Sequence, residues 1–168
     1  MNFHQHENGD LEVFEIDPLL VFLMVEGIRR EEEEWDLIAD SFLASPIDDE
    51  IDFSQDWKEY VQPGLLTLLK SCHAHVLTDL ENMKREQLKN LDENLVNLLI
   101  PAAHREAWLR ILNVARLSLA AHHRLTEEEI SGSIIPDLNT ERGKILLQLQ
   151  LFSLLQQVLV EMELEDGR

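Results

Sequence analysis

The chain has 168 residues, 45% of them hydrophobic, and a formal net charge of −19. A domain of this size buries roughly 68–70% of its unfolded surface, so neither metal nor disulfide is needed to hold it, and the single cysteine, Cys72, points to a reducing, cytoplasmic setting. The negative charge repels phosphate backbones and anionic lipid, which speaks against nucleic acid and membrane surfaces and for basic protein partners.

Taken in chain order, residues 1–10 read as a frayed, flexible end without a basic leader region. Leu11 to Ile16 then alternates with period two, the pattern of a short half-buried strand or arm. Asp17-Pro18 caps a helix running to about Arg30, whose run from Leu19 to Val25 falls far short of the ~20 residues that span a bilayer. Between Glu26 and Asp56 lie 12 acids and 2 arginines, a net of −10 and about half of the total charge. Glu31, Glu32, Glu33 and Glu34 favour the dipole of a helix carrying Trp35, Ile38, Ala39 and Phe42. Residues 44–53, with Asp48, Asp49, Glu50 and Asp52, read as an acidic loop. Its acids lack the order of a calcium loop, so no metal is expected. Ser54 can cap a turn with Trp57, Tyr60 and Val61, and Pro63 opens a long helix to about Glu86 with Leu65, Leu69, Cys72, Val76, Leu80 and Met83 on one face.

Leu91, Leu95 and Leu98/Leu99 suggest a short helix closed by Pro101, which itself starts the next helix, to about Arg124. In that helix the apolar side chains of Ala107 to Leu119 run almost all the way round, so Asn113 and Arg116 are expected to lie among leucines. Thr126-Glu127-Glu128-Glu129 is a capping-box pattern, and 131–137 reads as loop. The last helix, about Thr140 to Leu164, keeps Gln150, Ser153, Gln157 and Glu161 within an arc of about 80°. So narrow a polar stripe implies a central helix or a dimer seam.

The chemistry-bearing residues are few. His73 and His75 point apart on a helix, adjacent His122 and His123 diverge, and His4-x-His6 sits in the expected frayed end, so the histidines give no zinc spacing. His73 reads as a core histidine, and Cys72 beside it as an inert thiol, since neighbours at i, i+1 do not face each other. No phosphate-cradling glycine loop or nucleophile elbow is present, and no cofactor is implied. A buried Arg116 requires a carboxylate, for which Asp79 is the first candidate and Glu59 the second. Trp108, Asn113, Arg116, Asp79 and His73 thus form either a structural polar lock or a pocket.

Ala107-Trp108-Leu109-x-x-Leu112-Asn113-x-x-Arg116-Leu117-x-Leu119, followed by Thr126-Glu127-Glu128 and the leucine-rich last helix, resembles a bacterial family known as domain of unknown function number two-thousand-seventeen, best over about residues 57–160. The resemblance implies an all-helical cytosolic protein without an assigned activity, near Clp-type regulated proteolysis. The chain departs from the family pattern at Val114 and at Ala120-Ala121-His122.

Together these readings predict an all-α, single-domain helical bundle over residues 1–168 with at most a short N-terminal strand or arm. It is expected to form a homodimer through the last helix or the first. The expected function is a non-enzymatic interaction or regulatory module presenting its acidic residues to a basic partner. The competing expectation is an enzyme or small-ligand binder with an interior pocket around Asn113, Arg116 and His73.

Overall fold

The structure, a computed structural model, describes residues 1–30, 35–44, 51–89 and 96–166, with side chains 30, 36, 37, 41, 51–53, 84–89 and 163–166 outside that description. The fold is mostly helical, but a three-stranded antiparallel sheet in the order β1-β2-β3 replaces the expected all-α bundle. β1 (Asn2–Gln5) and β2 (Leu11–Ile16) form a hairpin. Its turn is closed by Gly9 N–H to His6 O and His6 N–H to Asp10 O, each at 2.9 Å, with Gly9 at a φ of 85°. The segment expected to fray is therefore held, because Phe3 pairs with Val13 and packs with Met1 against the core.

β3 (Val96–Ile100) lies where the leucine spacing suggested a helix. Its buried residues are Val96, Leu98 and Ile100, with Asn97 and Leu99 outward, so the period is two. Leu98 meets Val13 and Ile100 meets Leu11, giving β2 the partner it requires from more than eighty residues away. Between Val13 and Ile16 the register shifts, and Glu15 takes a φ of 56° at that irregularity.

α1 (Pro18–Arg30) starts as expected, with Asp17 Oδ1 accepting from Leu19 N–H at 2.8 Å. α2 (Trp35–Phe42) follows, and then α3 (Ile51–Asp56), so the last residues of the expected acidic loop are helical. A π-helical stretch, Trp57–Val61, runs on into α4 (Gln62–Lys89). After β3, a 3-10 turn at Ala102–His104 leads into α5 (Arg105–His122), then α6 (Glu127–Ile130) and α7 (Glu141–Asp166).

The helices cover one face of the sheet: α4 packs on β3, and α5 lies between α4 and α7 while also touching α1 and α2. That position explains why α5 is apolar nearly all round. Trp108, Ile111 and Leu112 are fully buried in the main core, whereas Val114 joins Ile38 and Leu69 in a smaller cluster. α7 packs along α5 and α1. Its segment Glu141–Met162 is long and apolar enough to cross a membrane by length and composition, and here Phe152 and Leu159 are fully buried in the core. α1 and α7 meet closely at Gly27, where an added Cβ would lie 2.5 Å from Gln148 Nε2 and 2.7 Å from Phe152 Cζ.

Candidate functional site

Two features bring polar or exposed apolar groups together. The first is a buried network at the start of α5. Asp79, on the inner side of α4 and 4% exposed, accepts from Trp108 Nε1 at 2.9 Å. His104 Nδ1 lies 3.0 Å from each carboxylate oxygen of Asp79. An ionised carboxylate only accepts, so both neighbours donate to it, which leaves His104 Nε2 turned away from the pair. The His75 ring sits beside that of His104, with centroids 4.7 Å apart. Close by, Arg105 Nη2 donates to Gly9 O at 2.7 Å and Ala102 N–H to Asp10 Oδ1 at 2.8 Å. The network therefore fastens α4, α5 and the β1–β2 turn at one point. Of the residues expected in a polar lock, Trp108 and Asp79 take part in this network, whereas Arg116 bonds Gln156 and Asn113 is exposed.

The second feature is a groove of about 240 Å³ between the end of α2, α4 and α5, walled by Phe42, Leu43, Leu68, Val114 and Leu117. Leu68 and Leu117 are 42% and 44% exposed. The α2 wall is held in place by the stretch leading into α4: Trp57 Nε1 donates to Leu43 O at 2.9 Å and Gln62 Nε2 to Ala39 O at 2.6 Å. Arg110, paired with Glu106 one turn earlier, and Asn113 supply the polar rim.

The predicted site residues divide. Trp108 and Asp79 come together. Asn113 is exposed, contrary to expectation, and lines the groove, because the α5 flank it occupies is the one the neighbouring helices leave open. Arg116 is half-buried, and its Nη1 donates to the amide oxygen of Gln156 at 2.5 Å, in place of the expected carboxylate. Among the described residues its Nε is buried without a partner, as is Ser118 Oγ. Glu59, the second carboxylate considered, is exposed. His73 is a core histidine hydrogen-bonded to Ile28 O at 2.8 Å and set edge-on against Trp35 at 5.3 Å. Burial pushes the Cys72 thiol up from its ordinary range, in keeping with an inert core thiol. Asn113 thus faces the groove, Arg116 reaches Gln156 and His73 lies in the core on Ile28 O.

Glu31, Glu32, Glu33, Glu34, Asp48, Asp49, Glu50 and the side chain of Asp52 lie outside the described residues. His104, Arg105 and Asp10 are network members that sequence reasoning missed. His104 alone had a local signal. Its signal was the i, i+4 spacing to Trp108 across the turn opened by Pro101. Among the described residues, no group of three or more His, Cys, Asp or Glu side chains could hold a metal ion. No protein-family model, curated protein or solved structure matches the chain.

Proposed function

We propose that this protein is a non-enzymatic interaction module that holds a basic amphipathic helix of a partner protein in the α2–α4–α5 groove. The supporting observation is an apolar groove whose α2 wall belongs to the stretch from Glu26 to Asp56 that carries a net charge of −10. A partner helix would set apolar residues at i, i+3 or i+4 into the groove and turn its lysines and arginines to that acidic stretch. At about 240 Å³ the groove exceeds the roughly 150 Å³ that accepts a benzene ring, so it has room for one or two large aliphatic anchors.

The Clp-type proteolysis implied by the sequence resemblance is where the search for the partner begins. A cytoplasmic setting and a homodimer belong to the same proposal, with Leu154 and Val160, 40% and 42% exposed on α7, as its apolar seam. The competing enzyme or ligand site around Asn113, Arg116 and His73 is the less supported reading, because His73 is bonded to Ile28 O in the core while Asn113 faces the groove.

The test is affinity capture from parent-cell lysate at low and high salt, comparing the native chain with Leu117→Asp and with Glu31 to Glu34 changed to Gln. A partner retained by the native chain at low salt, and lost in each of the other conditions, is the expected result. Empty capture at both salts, or retention indifferent to Leu117→Asp, would refute it.

A further inference from the structure

The buried network at the start of α5 has an outer side that the fold does not use. We infer that His75 and His104 there bind a divalent transition-metal ion, copper(II) by preference, as its two imidazole ligands. Both carboxylate oxygens of Asp79 lie 3.0 Å from His104 Nδ1. That bond sets the proton on Nδ1 and leaves the Nε2 lone pair as the ring's donor to a metal. A carboxylate behind the ring is the usual support of a metal-binding histidine, because it fixes the tautomer and orientation and makes the outer nitrogen more basic. Here the support is itself held in place, since Asp79 is 4% exposed and also accepts from Trp108 Nε1 at 2.9 Å. The His104 side chain is 25% exposed, so its outer edge reaches solvent.

The second ligand comes from the helix that carries the support. His75 and Asp79 are i, i+4 on α4, hence neighbours on one face, and His75 is exposed. Its ring centroid lies 4.7 Å from that of His104, with the planes tilted by 35°. With metal–nitrogen bonds of about 2.0–2.1 Å a ring centroid stands about 3.2 Å from the ion, so rings 4.7 Å apart subtend about 95° there. A tetrahedral pair would need about 5.2 Å between centroids. The spacing is thus that of two cis ligands in a tetragonal site, the geometry of copper(II) and nickel(II) and not of zinc(II). Asp79 is not a ligand, since its oxygens are turned to His104 and Trp108, and water completes the coordination. Its negative charge still stands one ring away from the cation. Other histidine pairs are similarly close, His4 with His6 at 4.9 Å and His122 with His123 at 4.8 Å. Asp79 is the only buried carboxylate among the described residues, so His75–His104 is the pair with a braced ring.

Copper(II) alone is the probe, titrated by calorimetry into the chain carrying His4→Ala and His6→Ala, with nickel(II) and zinc(II) as comparators. One copper(II) per chain is expected, with two imidazole nitrogens in its electron paramagnetic resonance spectrum and amide broadening centred on residues 75 and 104. Nickel(II) should bind more tightly than zinc(II). His75→Ala should weaken copper(II) about tenfold or more and leave one imidazole nitrogen in the spectrum. Asp79→Asn keeps an oxygen for Trp108 but removes the charge behind His104, and should also weaken copper(II) about tenfold or more. His75 is exposed, so its variant should fold whatever Asp79→Asn does to stability. Absence of one-to-one binding, indifference to His75→Ala or to Asp79→Asn, broadening centred on His122 and His123, or tighter binding of zinc(II) than of nickel(II) would each overturn the inference.

Discussion

Asp79→Ala tests the structural centre of the molecule. The substitution leaves the Trp108 indole N–H, in a side chain that is 0% exposed, without the acceptor that lies 2.9 Å away. A buried donor deprived of its partner costs about 1–3 kcal/mol. The bond to His104 adds less than the about 1.5–3 kcal/mol of a buried charge-assisted pair, because the His104 side chain is 25% exposed and water can replace the carboxylate. The expected loss is about 3 kcal/mol, or a fall in Tm of roughly 6–12 °C for a chain of this length. Urea unfolding followed by far-ultraviolet circular dichroism measures it. A double-mutant cycle with Trp108→Phe isolates the shared bond, with an expected coupling of about 1–2 kcal/mol. A loss below about 1 kcal/mol, or strict additivity of the two substitutions, would refute the idea that Asp79 holds α4 and α5 together.

Three further outcomes follow from the packing. Gly143→Ala places a Cβ 1.8 Å from the backbone oxygen of Asp137, whereas Gly27→Ala meets the side chains of Gln148 and Phe152 at 2.5 and 2.7 Å. Both should destabilise in urea unfolding by about 1–3 kcal/mol or more, with Gly143→Ala the worse because backbone yields less readily than side chains. Arg116→Met removes a half-buried guanidinium whose Nε has no partner among the described residues, so stability should stay within about 1 kcal/mol of native or rise; a drop of several kcal/mol would restore Arg116 as the lock. Glu129 accepts from Arg142 Nε and Nη2 at 2.8 and 2.7 Å and from Thr126 N–H at 2.8 Å, and first Arg142, then Thr126, hold its carboxyl at about 2 instead of 4.5. The folded-state value is the lower one, so this contribution to the α6–α7 junction is complete above about pH 4.5 and is lost as pH falls through about 2. Carboxyl chemical shifts against pH should locate the titration, and Arg142→Gln should raise it.

The elements legible in the sequence were those with local signals. The α1 cap at Asp17-Pro18, the Thr126–Glu129 capping box and the long apolar α7 all carry their determinants within a turn or two, and each was placed within a few residues. The sheet was less legible because strand pairing is decided elsewhere in the chain. β2 alternated clearly, but nothing local told that Asn2–Gln5 and Val96–Ile100 would flank it. In β3 the leucines at 95, 98 and 99 satisfy a helical spacing, while Val96, Leu98 and Ile100 satisfy a strand. Pairing with β2 chooses the second, since β2's buried Leu11 and Val13 need partners on the same face.

The same contrast explains why Asp79 meets Trp108 and His104 and not Arg116. Arg116 among leucines demanded a carboxylate only if its head were fully buried, and a long side chain can bury its stem while its head reaches toward an edge. Arg116 does this, reaching Gln156 from a half-buried position. Trp108 has no such freedom: its rigid indole is fully enclosed, so its N–H has to find an acceptor inside the core. Asp79, the buried carboxylate within its reach, is thereby committed to Trp108 and His104. Side-chain flexibility, more than formal charge, determines which polar residue a helix core must satisfy. On that argument Trp108→Phe, which removes the demand for an acceptor, should make Asp79→Ala markedly less costly, whereas Arg116→Met should leave its cost unchanged.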